Sequence, residues 1–189
     1  MRNTGINSEQ ELIARCRQND KKAQVEVYKK YSKAMYNTAL RIVKEKAEAE
    51  DVMQEAFLDA FDKIGQFQFR STFGAWLKRI VVNKSLDAIR QHIPYEDIDE
   101  IPEPPEEDAS YMNHESTGYT TRDIKNAMNA LNHQDSVMLS LYLFEGYDHV
   151  EIAQILEISH NAARTRYSRA RNNLIRKLKE YQTFKTYLS

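Results

Sequence analysis

Residues 145–178 read EGYDHVEIAQILEISHNAARTRYSRARNNLIRKL. Asp148 and Glu151 stand at the spacing of a capping box, ahead of Ile152, Ala153 and Leu156, and predict a short helix. Ile158 follows a tight turn, and Ser159 then caps a second helix whose apolar stripe is Ala163, Tyr167, Ala170, Leu174 and Leu178. Residues 160–179 carry seven Lys/Arg and no acid, whereas a helix that is merely solvated usually mixes both signs. A short helix, a turn and a basic second helix make a helix-turn-helix unit, which places the second helix in the major groove of DNA. Ala153 is small where the two helices must cross closely. Glu157 stands where such turns commonly use Gly, which predicts a left-handed backbone at a cost of about 1 kcal/mol.

Upstream of this unit, Ile124, Ala127, Met128 and Leu131 mark one helix, and Val137, Leu141 and Phe144 mark another that stops at Gly146. Further upstream, all four prolines (Pro94, Pro102, Pro104 and Pro105) fall within twelve residues of sequence that has no helical apolar period. Prolines break helices and like charges repel, so residues 93–119 are expected to be an extended acidic linker between residues 1–92 and residues 120–189.

The N-terminal part also reads as helical. Ser8 and Glu11 form a capping-box pattern before Leu12, Ile13 and Cys16. Asp20 can cap a longer helix with Ala23, Val27, Tyr31, Met35, Ala39 and Ile42 on one side. A third, from about residue 47 to Gly65, carries Val52, Ala56, Ala60 and Ile64. A fourth, from about Thr72 to Gln91, carries Trp76, Ile80, Val81, Leu86 and Ile89. The expected fold class is all-α, with a four-helix N-terminal domain and a smaller helix-turn-helix domain.

Composition agrees with that reading. The chain has 189 residues, of which only 5 are Gly and 4 Pro, while 41% are hydrophobic and 29% charged, so disorder and turn-dense β folds are disfavoured. The lone cysteine, Cys16, has no partner for an internal disulfide, and its apolar neighbours predict burial. No apolar run resembles a signal peptide or a membrane span, which predicts a cytoplasmic protein without direct membrane insertion. The net charge of −1 conceals segregation: residues 1–90 carry 17 Lys/Arg against 12 Asp/Glu, residues 91–121 carry none against 9, and residues 122–189 carry 10 against 7. Basic ends around an acidic middle point to a polyanionic partner.

Two further patterns carry chemistry. Asp51, Gln54, Glu55 and Leu58 recur at helical spacing opposite the third apolar stripe and form one polar-rimmed face. Phe67, Phe69 and Phe73 crowd the loop before the fourth helix, with Arg70 among them and Lys78, Arg79, Lys84 and Arg90 beyond. Bases stack on aromatic rings while cations hold phosphates, so this group suits single-stranded DNA. At least one of the three rings is expected to pack inward, and Trp76 is read as core.

Residues 145–178, together with EAEDVMQEAFLDAF at 48–61 and FRSTFGAWLKRIVVNKSLDAIR at 69–90, resemble the extracytoplasmic-function (ECF) sigma factors of the sigma-70 family. Gln68-Phe69, in place of an Arg-Gly the family often has, and Glu157, in place of the turn glycine, depart from the pattern. The resemblance implies a dissociable subunit that directs bacterial core RNA polymerase to promoter DNA, with an anti-sigma factor as a further partner. Asp51, Gln54 and Glu55 would then dock on the clamp helices of the polymerase's largest subunit. The loop Gln66–Thr72 would hold a flipped base of the minus-ten element and Asn83 and Lys84 would line the adjacent helix face, with Phe67, Phe69, Arg70, Phe73 and Arg79 completing the minus-ten set. His160, Asn161, Arg164, Thr165 and Ser168 would read the minus-thirty-five element, with Arg166, Arg169 and Arg171 on phosphates; His160 is equally well read as a residue of the capping turn. The linker would lie along the path of nascent RNA.

Two other classes compete. A stand-alone helix-turn-helix regulator accounts for residues 145–178 but not for the acidic face or the aromatic loop. A nuclease or recombinase lacks catalytic residues: the five histidines are dispersed, no Cys/His spacing makes a metal site, and no Gly-rich phosphate loop is present. No enzymatic activity, cofactor, metal or small-molecule substrate is expected.

Overall fold

The structure is a computed structural model that describes residues 4–90 and 119–188. The chain divides into two units, Met1–Tyr95 and Glu96–Ser189. The expected linker lies outside the described residues except for Tyr119 at its end.

The first unit holds α1 (Thr4–Arg17), α2 (Lys21–Val43), α3 (Lys46–Asp62), a 3₁₀ turn (Ile64–Gln66) and α4 (Phe73–Arg90). Asp20 caps α2 by accepting hydrogen bonds from the backbone N–H groups of Lys22 and Ala23, as its position predicts. Ser8 does not start the first helix, because α1 begins at Thr4 and Ser8 lies a turn inside it. Helices α2, α3 and α4 pack on one another, and α1 rests on α2 and on the 3₁₀ turn. Ala23, Val27, Met35 and Ala39 meet Val52, Ala56, Ala60 and Ile64 in one core, which Phe73, Leu77 and Val81 complete from α4. Cys16 is buried there, and burial pushes its thiol pKa up, which keeps it from being a reactive thiolate.

Between α2 and α4 the helices approach closely at Gly74, where a Cβ would stand 3.0 Å from the Tyr31 ring. Tyr31 has little freedom to yield: its ring packs on Phe73 at 5.7 Å, and its hydroxyl donates to the Glu9 carboxylate of α1. Lys30 also donates to Glu9, at 3.0 Å. The Tyr31 hydroxyl holds the Glu9 carboxyl below its ordinary pKa, with Lys30 assisting.

The second unit holds α5 (Thr121–Asn129), α6 (His133–Leu139), a π-helical segment (Ser140–Phe144), α7 (His149–Leu156) and α8 (His160–Leu188). Thr120 and Asp123 make a reciprocal capping box for α5, a signal that the apolar spacing alone did not reveal. Ile124 and Phe144 face outward instead of joining the core, which is built from Ala127, Met128, Leu131, Val137, Leu139 and Leu141. The expected single helix over Val137–Phe144 changes pitch at Ser140, and the Glu145 N–H reaches the Ser140 carbonyl at 3.1 Å. Gly146, at φ 78°, ends it. Helices α5, α6 and α7 all pack on α8.

Candidate nucleic-acid and partner-binding surfaces

In the helix-turn-helix unit, both halves of the Asp148–Glu151 capping box are present. Ile152, Ala153, Ile155 and Leu156 are buried, and Glu157 closes α7 in the left-handed region at φ 57°, ψ 42°. Ile158 N–H bonds to the Ala153 carbonyl at 3.0 Å, and the Ser159 hydroxyl accepts from Ala162 N–H at 3.1 Å, which starts α8 at His160. Capping at both sides of the turn fixes the rotation of α8. Ala163, Ala170, Leu174 and Leu178 face inward, while His160, Asn161 and Arg164 are exposed and Thr165 and Ser168 are half-buried.

The three expected phosphate contacts part company. Arg166 is buried because it shares the inward stripe with Ala163 and Ala170, whose small side chains leave it room, and it presents no open charge to a phosphate. Arg169 is half-buried, 3.8 Å from the carboxylate of buried Asp135. Asp135 also accepts from Asn132 at 2.9 Å and from Asn173 at 2.6 Å, so one buried carboxylate ties the start of α6 to the middle of α8. Arg171 is half-buried on the same helix.

In the first unit, Asp51, Gln54, Glu55 and Leu58 are all exposed on α3, and Leu58, at 65% exposure, is an apolar knob beside them. Asp51 and Glu55 line a groove between α3 and α4 with Glu48 and Asp87. Lys84 stands in that groove, 3.4 Å from Glu55 and 3.3 Å from Asp59. Burial works against its charge, but the carboxylates of Asp59 and Glu55 outweigh it and raise the Lys84 pKa. Arg79 and Asn83 are exposed on α4.

The aromatic loop is asymmetric. Phe67 and Phe73 are 3% and 1% exposed and lie edge to face with centroids 5.5 Å apart, so neither ring is open to a base. Trp76, partly buried, completes the cluster at 5.4 Å from Phe67. Phe69 is the exception: it is 41% exposed, sits 4.7 Å from Phe67 and has a backbone φ of 56°. Arg70 beside it is exposed. Arg17, at the end of α1, reaches this loop from far away in sequence, donating to the Ile64 carbonyl at 3.3 Å and to the Phe67 carbonyl. Its guanidinium lies 5.1 Å from the Phe69 ring centroid. No local pattern announces Arg17, since its partners are 47 and 50 residues away.

Among the described residues, no group of His, Cys, Asp and Glu side chains is arranged to hold a metal ion, and no helix is long and apolar enough to cross a membrane.

Residues 27–92 match the profile of Sigma-70 region 2, and residues 121–174 match that of Sigma-70, region 4. The chain is 29% identical to the RNA polymerase sigma-H factor of Pseudomonas aeruginosa, over 86% of this chain and 90% of that protein. It is 26% identical to the ECF RNA polymerase sigma factor SigW of Bacillus subtilis, over 89% and 95% of the two chains. Among solved structures, the sigma factor RpoE of Bartonella quintana, in complex with the anti-sigma factor NepR, matches with a TM-score of 0.53 and 26% identity over 77% of this chain and 90% of that one. The two regions fall in family order on the two helical domains, and the chain belongs to the ECF group of the sigma-70 family of RNA polymerase sigma factors.

Proposed function

We propose that this sigma factor divides its work among three surfaces. The exposed face of α3, with Asp51, Gln54 and Glu55 around Leu58, docks on a basic surface of bacterial core RNA polymerase. The loop Gln66–Thr72 and the start of α4 capture the melted minus-ten strand, with Phe69 as the stacking ring, Arg70 and Arg79 on phosphates and Asn83 on the adjacent helix face. Phe67 and Phe73 serve as the floor beneath Phe69. The start of α8 reads the minus-thirty-five duplex through Asn161, Arg164, Thr165 and Ser168, with His160 at its entry and Arg171 flanking. The protein works in the cytoplasm, does no covalent chemistry of its own, and is held in check by an anti-sigma factor, the class of partner found on the Bartonella quintana relative.

The observation that carries this reading is the outward placement of the α8 N-terminal residues by a doubly capped turn, on the same chain as an exposed acidic face that a stand-alone regulator has no use for. Reversal of Asp51 and Glu55 to Lys tests it. Both side chains are exposed, and the Glu55–Lys84 contact is a surface pair, so folding should change by less than about 1 kcal/mol. Core-polymerase pull-down and promoter-dependent transcript should both be lost. A double variant that still captures core polymerase refutes the docking face, and a wild-type chain that yields no transcript with core polymerase on a melted-bubble promoter refutes the reading as a whole.

A further inference from the structure

Phe69 adopts a backbone conformation that an L-residue with a large side chain avoids, at φ 56°. Left alone, the loop would relax toward negative φ and carry the ring away from its present place. Three contacts oppose that, and all come from one side chain. Arg17 bonds to the Ile64 carbonyl at the 3₁₀ turn, to the Phe67 carbonyl two residues before Phe69, and lays its guanidinium 5.1 Å from the Phe69 ring centroid. On its other side the Phe69 ring meets Phe67, which is locked in the core by Phe73 and Trp76. The ring is thus held between a fixed aromatic floor and a planar cation. Arg17 lies outside the matched region 2, which begins at residue 27.

We propose that Arg17 is the positioning residue of the base-reading loop: by fixing the Ile64 carbonyl just before the loop and the Phe67 carbonyl within it, and by bracing Phe69, it sets the geometry in which one base is selected. This rests on the minus-ten reading of the loop given above. A planar guanidinium can satisfy two carbonyls in a fixed fork while stacking on a ring, and an ammonium cannot do all three. Charge alone is therefore insufficient, which separates positioning from simple attraction of DNA.

The test uses the full chain with core polymerase on a library of promoter templates randomised and pre-melted across the minus-ten segment, with base preference read from the sequences of transcribed templates. Wild type should show a strong preference at the base held by the loop. Arg17→Ala and Arg17→Lys should each reduce that preference about tenfold, while preferences elsewhere in the segment and core-polymerase affinity stay within about twofold. Phe69→Ala should lose the same preference. Thermal unfolding identifies any variant that fails to fold, and Arg17→Lys then carries the comparison, because it retains the stem packing and the charge. Loss of preference in Phe69→Ala but not in either Arg17 variant overturns the positioning role and leaves the minus-ten reading intact. Wild-type preference in Phe69→Ala overturns that reading and this inference with it. A uniform fall at all positions, in step with lost core affinity, makes Arg17 structural only and also overturns the proposal.

Discussion

Phe69 and Glu157 both hold backbone angles suited to glycine, at φ 56° and 57°. At Phe69 the ring is braced by Arg17 and Phe67, so the strain has a compensating contact. Glu157 is exposed at the end of α7, where its backbone N–H caps the Ala153 carbonyl as a glycine would. Glu157→Gly should therefore raise stability slightly, by up to about 0.6 kcal/mol, the left-handed penalty of about 1 kcal/mol less the roughly 0.4–1 kcal/mol of added freedom in the unfolded chain, without changing affinity for duplex promoter DNA. Chemical denaturation measures the first and a gel-shift titration the second; a destabilised variant would show that the Glu157 side chain does more than tolerate the turn. The arginines of α8 differ in the same local way. Arg164→Ala should weaken minus-thirty-five binding by about 1–3 kcal/mol with an unchanged unfolding curve, if its contact is bidentate. Arg166→Ala should instead lower stability, since it empties a buried site between α8 and its neighbours. Equal effects of the two variants on stability and on binding would place Arg166 on the DNA after all.

Capping and periodicity made most helices legible, because both are local. Asp20, Asp148 with Glu151, and Ser159 announce their helices within three or four residues, and the stripes of α2, α3 and α4 follow the 3.6-residue repeat. Three features escaped. Ser8 looked like a cap, yet nothing in residues 4–7 stops the helix earlier, so α1 runs through it. The π-helical segment at Ser140–Phe144, on which Phe144 is exposed, has no signature in the apolar spacing of Val137, Leu141 and Phe144. The α2–α4 crossing hinges on Gly74, which local spacing does not distinguish from any glycine near a helix start. The exposure of Asp51, Gln54 and Glu55 on α3 and of His160, Asn161 and Arg164 on α8 was legible from helical spacing, whereas the burial of Arg166, the ion pairs of Lys84, the reach of Arg17 and which of the three loop rings pack inward depend on tertiary contact and were not. The crossing itself is testable. An alanine at 74 gains helix propensity of about 1 kcal/mol, but its Cβ at 3.0 Å must displace a Tyr31 ring pinned by Glu9 and Phe73. Gly74→Ala should be destabilising in the wild-type background and stabilising in Tyr31→Ala, a sign reversal that a double-mutant cycle by urea unfolding reads directly. The same sign in both backgrounds would mean that another contact governs the approach.

At the scale of the chain, charge is partitioned by segment: residues 1–90 and 122–189 are net basic, and residues 91–121 carry nine acids and no Lys or Arg. The basic ends suit DNA, and a spacer needs no acids merely to span a distance, since Gly and Ser would serve. Nine carboxylates on a proline-interrupted stretch carry the charge sign of a polyanion, and we propose that the segment competes with nascent RNA for a basic channel of the polymerase. An occupant that must leave as RNA grows should be held by screened charge, which weakens with salt over a Debye length of about 10 Å at 0.1 M. The competing account is that the acids only keep the segment solvated or shield the basic domains from stray DNA. Replacing Glu103, Glu106, Glu107 and Asp108 with Ser separates the two. If the segment competes with RNA, the variant holoenzyme should change its ratio of short abortive to full-length transcripts, with the difference shrinking as salt rises, while its docking on core polymerase through α3 persists. If the acids only shield, abortive ratios should match wild type at every salt concentration, and the free full-length variant should instead bind non-specific duplex DNA more tightly at low salt.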